Sequence, residues 1–322
     1  MTGERLRVAL VGPGWIGRRH LGVLTTEPGV ELAGIVGREL ASAQRAAAEF
    51  GGRPYDDVRR LLDAERPDAA IICVPPDARG TLETAFLERG VHLFIEKPLA
   101  ADAATPERLG EAIRAAGIIA GVAYHWRAMD TIPGVVEALA ARPPILLVAA
   151  WHDQLPGTAW WRDEARSGGQ VVEQATHLVD LARLLAGEAV PLAATADHDA
   201  DPQVPGLTVA LASTATLRFA SGAAGTLTAT CTLSGPSTAE LKLLADGLAV
   251  TVRQDGVLYE EPAPGGVRTR YVKTANDPVR DEDRAFFDAV RHNDPARLFS
   301  TYEDALRTHR LTCAIRALAA AS

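Results

Sequence analysis

The sequence predicts an α/β protein in two parts. Residues 1–121 are expected to form an N-terminal, doubly wound parallel sheet, and residues 122–322 a C-terminal α+β domain on a mainly antiparallel open sheet. Three observations predict this division. The first part alternates apolar runs with helical segments, the second contains alternating runs with hairpin signals, and the length of 322 residues suits two domains of ordinary size.

Short apolar runs mark the strands of the first part. They lie at residues 7–11, 32–36, 69–74 and 92–95, with helical segments between them. A further helix is predicted to begin at Thr105-Pro106, an N-cap followed by proline at the first helical position, and to end at Gly117. Continuous apolar strands separated by helices predict a parallel sheet that is covered on both faces.

After Gly121 the pattern changes. A strand is expected at residues 145–151, a helix at about 170–186, and alternating strands at 214–219 and 226–233. Asp246-Gly247 and Asp255-Gly256 are typical hairpin turns between such runs. The last two helices are expected near 279–291 and 301–320, and the C-terminal helix is expected to pack back on the first domain.

Composition excludes several classes of partner. A net charge of −8 leaves no basic excess for nucleic acid. Cys73, Cys231 and Cys313 lie far apart, which argues against a zinc site or a disulfide framework and favours a reducing compartment. Apolar stretches stop short of membrane-spanning length, and residues 1–7 lack the pattern of a signal peptide. We expect a cytoplasmic protein without metal, membrane or nucleic-acid partner.

A glycine-rich turn follows the first predicted strand and opens the first helix. Gly12, Gly14 and Gly17 match G-x-G-x-x-G, with Trp15 and Ile16 in the intervening positions. Gly12 permits the tight turn, Gly14 lets a pyrophosphate approach the backbone, and Gly17 allows close packing of helix on strand. The helix N-terminus supplies free amides for the phosphates. The motif in this context predicts dinucleotide binding by a Rossmann domain; a purely structural turn is the alternative.

The end of the second strand indicates which dinucleotide is bound. An NAD enzyme usually has Asp or Glu there for the ribose hydroxyls, whereas this chain has Gly37 followed by Arg38. A guanidinium can pair with a 2′-phosphate, so NADP is predicted as the preferred cofactor, with NAD possible. In the alternative, Arg38 is a solvated loop residue and Glu39 holds the ribose.

Lys97 lies in Glu96-Lys97-Pro98, where the run at 92–95 ends. Ligands of open α/β sheets bind outside the carboxyl ends of strands. A lysine there can donate to a substrate oxygen and stabilise charge during hydride transfer. Proline after it would make the loop rigid and is compatible with a cis peptide. An ordinary surface lysine is the alternative.

Glu173, His177 and Asp180 are spaced i, i+4, i+7 and therefore share one face of the predicted helix. Periodicity does not distinguish a solvated face from one that lines a cleft. An imidazole is suited to exchanging a proton with a hydroxyl at neutral pH, and a carboxylate one turn away can orient it. His20, on the first predicted helix, is expected to be structural or at the surface.

Taken together, these segments resemble the glucose–fructose oxidoreductase / inositol dehydrogenase (Gfo/Idh/MocA) family over nearly the whole chain. The resemblance is carried by the glycine turn, the E-K-P tripeptide, a Tyr-His-Trp-Arg segment at 124–127, the Gly-Gly helix entry at 168–169, the E-x-x-x-H-x-x-D run and the Tyr-Glu-Asp-Ala helix entry at 302–305. E-K-P and the histidine-bearing helix, at these distances from the glycine turn, are the most specific part.

The resemblance implies that Lys97 and His177 are catalytic and that the acidic residue four before the histidine accompanies them. That residue is usually Asp in the family and is Glu173 here. Pro75 and Pro76 are expected to shape the loop along the nicotinamide side, with Val74 and Pro75 as cofactor contacts. The family commonly has His where this chain has Arg79.

Glu96 and Lys97 are expected beside the cofactor as well, and Lys97, Glu173 and His177 beside the substrate. Arg127 and Trp160 are further predicted substrate contacts, because an arginine can bind hydroxyls and aromatic faces pack on sugar rings. The alternatives are an ion pair for Arg127 and a core position for the tryptophans.

The predicted function is hydride transfer between nicotinamide and a hydroxyl-bearing or carbonyl carbon of a sugar, polyol or inositol-like substrate. Lys97 and His177 are expected to converge on one substrate oxygen. Two other functions stay open: reduction or oxidation of a non-sugar carbonyl or a dihydrodiol, and a nicotinamide-binding sensor without turnover. A homodimer or homotetramer is expected, because an exposed antiparallel sheet is a liability on a monomer.

Overall fold

The computed structural model describes residues 5–197 and 204–321. Residues 1–4, which belong to the segment predicted to lack the pattern of a signal peptide, lie outside the described residues. The chain divides into two compact units, neither continuous in sequence. The first unit contains residues 1–100, 104–128 and 277–306, and the second contains 101–103, 129–276 and 307–322. Residues 122–128 and 277–306 therefore belong to the first unit, whereas the sequence-based boundary at 121 assigns them to the second domain. None of the described helices combines the length and hydropathy needed to cross a bilayer.

The first unit contains a parallel sheet with the strand order β3-β2-β1-β4-β5-β6. Its strands are β1 (Leu6–Val11), β2 (Val30–Val36), β3 (Arg53–Tyr55), β4 (Ala69–Ile72), β5 (His92–Glu96) and β6 (Ala120–Ala123). Its first five helices are α1 (Trp15–Leu24), α2 (Leu40–Phe50), α3 (Val58–Glu65), α4 (Thr81–Leu87) and α5 (Ala104–Ala116). The predicted doubly wound parallel sheet is confirmed.

Helices cover both faces of this sheet because its strands are apolar on both sides. In β1, Ala9 and Val11 join a core cluster with residues of α3, α4 and α5. Val8 and Leu10, which point to the other face, join a second cluster with residues of α1 and α2. The period of two along a strand thus supplies two separate cores.

A helix from late in the chain completes the second of these cores. This helix, α10 (Pro278–His292), contributes Phe286 and Phe287, both fully buried. The ring of Phe286 stacks on that of Phe94 in β5, with centroids 5.1 Å apart. The next helix, α11 (Tyr302–Ala320), begins in the first unit, where Tyr302 belongs to the core cluster of Ala9 and Val11.

The second unit contains a mainly antiparallel sheet with the strand order β14-β13-β12-β11-β7-β10-β9-β8, in which only the β7–β10 pair is parallel among the described strands. The strands are β7 (Leu146–His152), β8 (Ala189–Asp197), β9 (Ala212–Phe219), β10 (Ala224–Thr230), β11 (Thr238–Ala245), β12 (Leu248–Arg253), β13 (Gly256–Ala263) and β14 (Gly266–Lys273). Its helices are α6 (Ile132–Ala140), α7 (Glu164–Ser167), α8 (Gly169–Glu173), α9 (Thr176–Ala186) and most of α11.

The hairpin signals are close to the observed turns. Asp246-Gly247 joins β11 to β12, as predicted. At the second signal, Gly256 already pairs with Arg253 as the first residue of β13, so the turn is Gln254-Asp255. The predicted α+β class of this half is confirmed.

Candidate active site

The glycine turn has the geometry that a pyrophosphate requires. Gly12 has a φ of +91°, and a Cβ there would lie 2.6 Å from the carbonyl oxygen of Cys73. A Cβ on Gly17 would lie 2.1 Å from the carbonyl oxygen of Gly12. A Cβ on Gly14, in contrast, would meet no atom within 4 Å. The first and third glycines are needed for packing, and the second leaves open space at the N-terminus of α1, where first-turn amides have no partner within the helix.

The second strand ends in a turn that cannot hold an acidic residue at position 37. A Cβ on Gly37 would lie 2.2 Å from the hydroxyl oxygen of Ser42 and 2.9 Å from the carbonyl oxygen of Glu39. Arg38 and Glu39 follow at the start of α2, with side chains that are 89% and 72% exposed and only 3.8 Å apart. Both groups are therefore available to a ribose or its phosphate.

Three cofactor-site segments meet at one edge of the sheet. β1 pairs with β4, and β4 pairs with β5, all in parallel. The glycine turn after β1, Val74 and Pro75 after β4, and Lys97 after β5 therefore lie along the carboxyl edge of three neighbouring strands. Trp15, in the first turn of α1, is 79% exposed, and Ile16 packs against the core. The Lys97–Pro98 peptide is cis.

Arg79 is not a ligand-facing substitute for the histidine that the family commonly has there. Only 7% of it is exposed, and its guanidinium donates to the carbonyl oxygen of Ile72 (3.2 Å) and lies 3.8 Å from the Glu83 carboxylate. Glu83 in turn accepts a hydrogen bond from the Gly80 amide at 2.6 Å. Arg79 therefore holds the loop after β4 against the start of α4.

Glu96 is held by a histidine to which the sequence assigns no function. The imidazole of His20 on α1 lies 3.2 Å from a carboxylate oxygen of Glu96 and 2.8 Å from one of Asp283 on α10. His20 is fully buried, so of the two expectations, a structural residue or one at the surface, the surface position is wrong. Its spacing from Gly17, Leu21 and Leu24 on the buried stripe of α1 was the available signal.

His125 follows β6, and its surroundings disfavour the protonated form of its ring. Burial lowers the pKa of His125 to about 4, and the charges of Lys97 and Arg19 act in the same direction against that of Glu96. Because the folded-state pKa lies below the usual value of about 6.5, the neutral ring contributes stability above that pH. This contribution is lost as the pH falls through about 4.

We therefore expect His125→Asn to reduce the loss of unfolding free energy between pH 6.5 and 4 by up to about 3 kcal/mol. Urea unfolding at a series of pH values measures this. The matched control is His292→Asn, since His292 is an exposed histidine on α10. Equal acid sensitivity of His125→Asn and the wild type would contradict the assignment.

His177 and Glu173 lie on two short helices of the second unit, not on one. α8 ends at Glu173 and α9 begins at Thr176, so the helical segment predicted at about 170–186 is present but is interrupted at Gln174 and Ala175. Of the two alternatives that periodicity left open, a solvated face and a face that lines a cleft, the solvated face does not describe His177 or Asp180. His177 is 3% exposed and Asp180 is 1% exposed.

Each of these three side chains has a distinct environment. The His177 ring stacks on that of Trp151, with centroids 6.0 Å apart and 20° between the planes. Glu173 accepts a hydrogen bond of 2.7 Å from the indole of Trp161. Asp180 accepts one of 2.9 Å from Thr308 on α11 and therefore ties α9 to α11. The stacking and the indole bond orient His177 and Glu173, whereas Asp180 is structural.

The remaining predicted substrate residues differ in their exposure. Arg127, only 7% exposed, forms a 2.5 Å ion pair with Asp304 and donates to the carbonyl oxygen of Phe299, so the ion-pair alternative describes it. Trp126 and Trp161 are core residues, at 1% and 2% exposure. Trp160 is half-buried against the cluster that contains Trp161. Lys97 belongs to the first unit and His177 and Glu173 to the second, and the convergence of Lys97 and His177 stays a prediction.

Comparison with known proteins identifies the family. Residues 6–124 match the model of an oxidoreductase family with an NAD-binding Rossmann fold, and residues 144–247 match the GFO/IDH/MocA C-terminal domain. A 4-carboxy-2-hydroxymuconate-6-semialdehyde dehydrogenase from Sphingobium sp. strain SYK-6 is 24% identical over 89% of this chain and 90% of its own. D-glucoside 3-dehydrogenase from Escherichia coli is 28% identical over 58% of this chain and 56% of its own.

Solved structures share the fold. A levoglucosan dehydrogenase in complex with NADH and levoglucosan has a TM-score of 0.86 at 20% identity, over 98% of both chains. A 3-ketoreductase from Actinomadura kijaniata, in complex with NADP and TDP-benzene, has a TM-score of 0.85 at 21% identity, also over 98% of both chains. With both domain models matched in chain order, this protein belongs to the GFO/IDH/MocA family of oxidoreductases.

Proposed function

We propose that this protein transfers a hydride between a nicotinamide cofactor and a hydroxyl-bearing or carbonyl carbon of a carbohydrate-like substrate. The observation that carries the proposal is the shared carboxyl edge of β1, β4 and β5. There the open space at Gly14, the Val74-Pro75 loop and the Lys97 side chain follow three adjacent strands. A pyrophosphate bound in the open space at Gly14 would direct the rest of the cofactor along this edge.

Lys97, His177 and Glu173 are proposed as the catalytic residues. The bound nicotinamide supplies the carbon that accepts or donates the hydride. In the oxidative direction His177 takes the proton of the substrate hydroxyl, and Lys97 donates a hydrogen bond to the same oxygen as negative charge develops on it. Glu173, held by the Trp161 indole, orients the imidazole or binds a neighbouring hydroxyl. In the reductive direction His177 returns the proton.

NADP is proposed as the preferred cofactor. Support comes from the absence of room for an acidic side chain at Gly37 and from the exposed guanidinium of Arg38 beside it. Relatives of the same fold have been crystallised with NADP and with NADH, so the preference has to come from residues of this chain. Arg38 is the residue that can pair with a 2′-phosphate.

We expect Arg38→Ala to raise the KM for NADP about tenfold or more, because a charge-assisted hydrogen bond to phosphate is lost. The KM for NAD should change less than twofold. Initial rates followed at about 340 nm (the nicotinamide absorbance) measure both constants. Arg45→Ala, which removes another exposed arginine of α2, is the matched control. A wild-type preference for NAD would instead favour Glu39 as the ribose ligand.

A second candidate substrate class has one specific observation in its favour. The relative aligned over 89% of this chain acts, by its name, on a semialdehyde, whereas the glucoside dehydrogenase aligns over 58%. A screen of polyols, aldoses, keto-sugars and inositols alongside hydroxymuconate semialdehydes, with both cofactors, discriminates the two classes. Turnover of a carbohydrate supports the proposal, and turnover of semialdehydes alone supports the second candidate. Cofactor binding without any turnover would favour a sensor.

A homodimer or homotetramer in the cytoplasm is also proposed. Ile145, Val190 and Leu192 in and before the strands of the second unit are each more than half exposed, at 66%, 57% and 52%. Apolar side chains along an open sheet favour self-association. Light scattering measures the assembly, and a mass that stays at 34.1 kDa would contradict it.

A further inference from the structure

Three buried ionisable groups in the first unit are in contact with one another, and one of them directly precedes Lys97 in sequence. The Nδ1 atom of His20 lies 2.8 and 3.0 Å from the two carboxylate oxygens of Asp283, and its Nε2 atom lies 3.2 Å from Glu96. His20 and Asp283 are 0% exposed, and Glu96 is 5% exposed. Glu96 precedes Lys97 in sequence. The order of groups is therefore Asp283, His20, Glu96 and Lys97.

The strand pattern explains why these groups meet. Along β5 side chains alternate between the sheet faces, so Glu96 lies on the same side as Phe94 and opposite Ile95. Phe94 faces the cluster that contains residues of α1 and α10. His20 and Asp283 come from those two helices. The His20 ring also meets Phe94 edge-on, with centroids 6.1 Å apart.

The geometry favours alternating charge along this series of groups. A neutral imidazole has one N–H and one lone pair, and both nitrogens of His20 face carboxylate oxygens, so the doubly protonated ring satisfies both contacts. Burial alone would lower the pKa of His20, but Asp283 and Glu96 outweigh it and raise the pKa well above its usual value. Burial likewise raises the pKa of Glu96, yet His20 outweighs it and lowers the pKa.

Burial raises the pKa of Asp283, and the charge and hydrogen bond of His20 act against that shift. Burial and the neighbouring Glu96 raise the pKa of Glu282 on α10 well above its usual range, which favours its neutral form. Burial also raises the pKa of Cys73, after β4, to about 12. Arg19 on α1, His125 after β6 and Asp277 before α10 complete the surroundings. Glu96 is therefore the charged group between His20 and the lysine.

We propose that His20 is a positioning residue for Lys97: it holds the Glu96 side chain in place, and Glu96 fixes the tip of β5 that carries the lysine. Because His20 lies on the helix whose first turn forms the glycine motif, the same ring connects the phosphate-binding end of α1 to the strand of the lysine. This inference rests on the proposed role of Lys97 in the reaction.

The first test requires no substrate. The ring nitrogens of the histidines are observed by ¹⁵N NMR on the full chain, and His20 is assigned by its loss in His20→Asn. We expect both ring nitrogens of His20 to be protonated at pH 7.5, and Asp283→Asn to make the ring neutral at a lower pH than in the wild type. A neutral His20 ring at pH 7.5 would overturn the proposal.

The second test asks whether His20 acts through Lys97. Single-turnover rates are measured, on the substrate identified by the screen, for the wild type, His20→Asn, Lys97→Ala and the double variant. We expect His20→Asn to lower the rate about tenfold in the wild type and less than twofold in the Lys97→Ala background. An equal loss in both backgrounds would show an independent structural effect and overturn the proposal.

Two additions make these outcomes separable. Asp283→Asn keeps the shape of the side chain and enters the same cycle, so the result does not depend on the folding of one variant. His92→Asn is the matched control, because His92 lies at the other end of β5 and accepts a hydrogen bond from Ile119; its turnover should stay near that of the wild type. Full activity of Lys97→Ala alone would refute the proposed function, whichever result His20 gives.

Discussion

His177→Ala is expected to lower kcat by about 10²–10⁴, the usual effect of removing a positioned acid–base group. The cofactor dissociation constant should stay within about twofold, because the glycine turn and Arg38 belong to the first unit and His177 to the second. Rapid-mixing kinetics at the nicotinamide absorbance, together with fluorescence titration of the reduced cofactor, measure the two quantities.

His309→Asn is the matched control for this experiment. Like His177, His309 is a buried histidine of the second unit, at 1% exposure, and it bonds the carbonyl oxygen of Asp102. Its replacement should lower the free energy of unfolding without changing kcat of the folded protein. If His177→Ala kept near wild-type turnover, or if His309→Asn lost as much, the acid–base role would be wrong.

Lys97→Ala is expected to lower kcat by about 10²–10³, as the loss of one preorganised donor to a developing oxyanion does. Lys97→Arg should recover only part of this loss, because the planar guanidinium places its donors differently from an ammonium group. Lys242→Ala is the control, since it removes a lysine that pairs with Glu260 on the sheet of the second unit.

The double variant Lys97→Ala/His177→Ala shows whether the two residues serve one step. Residues that act as a unit give losses much smaller than the product of the single losses. A fully multiplicative loss would contradict a shared oxygen. Retention of wild-type turnover by Lys97→Ala would remove the lysine from the reaction.

Local patterns predicted the parallel strands of the first unit well. The strands there are continuous apolar runs, and the spacing of Gly12, Gly14 and Gly17 reflects backbone contacts that only glycine permits. The tip of β5 was predictable for the same reason, since Glu96 ends a mostly buried strand and Lys97-Pro98 follows it directly.

The break between α8 and α9 was not predictable from periodicity. The helical pattern continues through Ala175, and Gln174 and Ala175 keep φ and ψ in the right-handed helical region although they belong to neither helix. The environment of Glu173 depends on Trp161, which lies on another element. The environment of Asp180 depends on Thr308, which is distant in sequence. Tertiary contacts of this kind leave no local signal.

The same limit explains why His20 was given no function. Its partners Glu96 and Asp283 lie 76 and 263 residues away, and nothing near position 20 announces them. β3, of three residues, was likewise too short for an alternating pattern. Local periodicity predicts which faces of helices and strands are buried. Polar networks in the core cannot be predicted in this way, because they join residues that are distant in sequence.

The late contribution of α10 has a consequence for biosynthesis. The N-terminal sheet is translated within the first 123 residues, yet one of its two faces lacks Phe286, Phe287 and one of the two carboxylates that face His20 until the ribosome has passed residue 287. A nascent or truncated chain that stops at residue 128 would present the Phe94 face to water, and His20 would keep Glu96 as a partner but lack Asp283. Such a fragment should aggregate or recruit chaperones, so the nucleotide-binding half matures only after most of the substrate half has been synthesised.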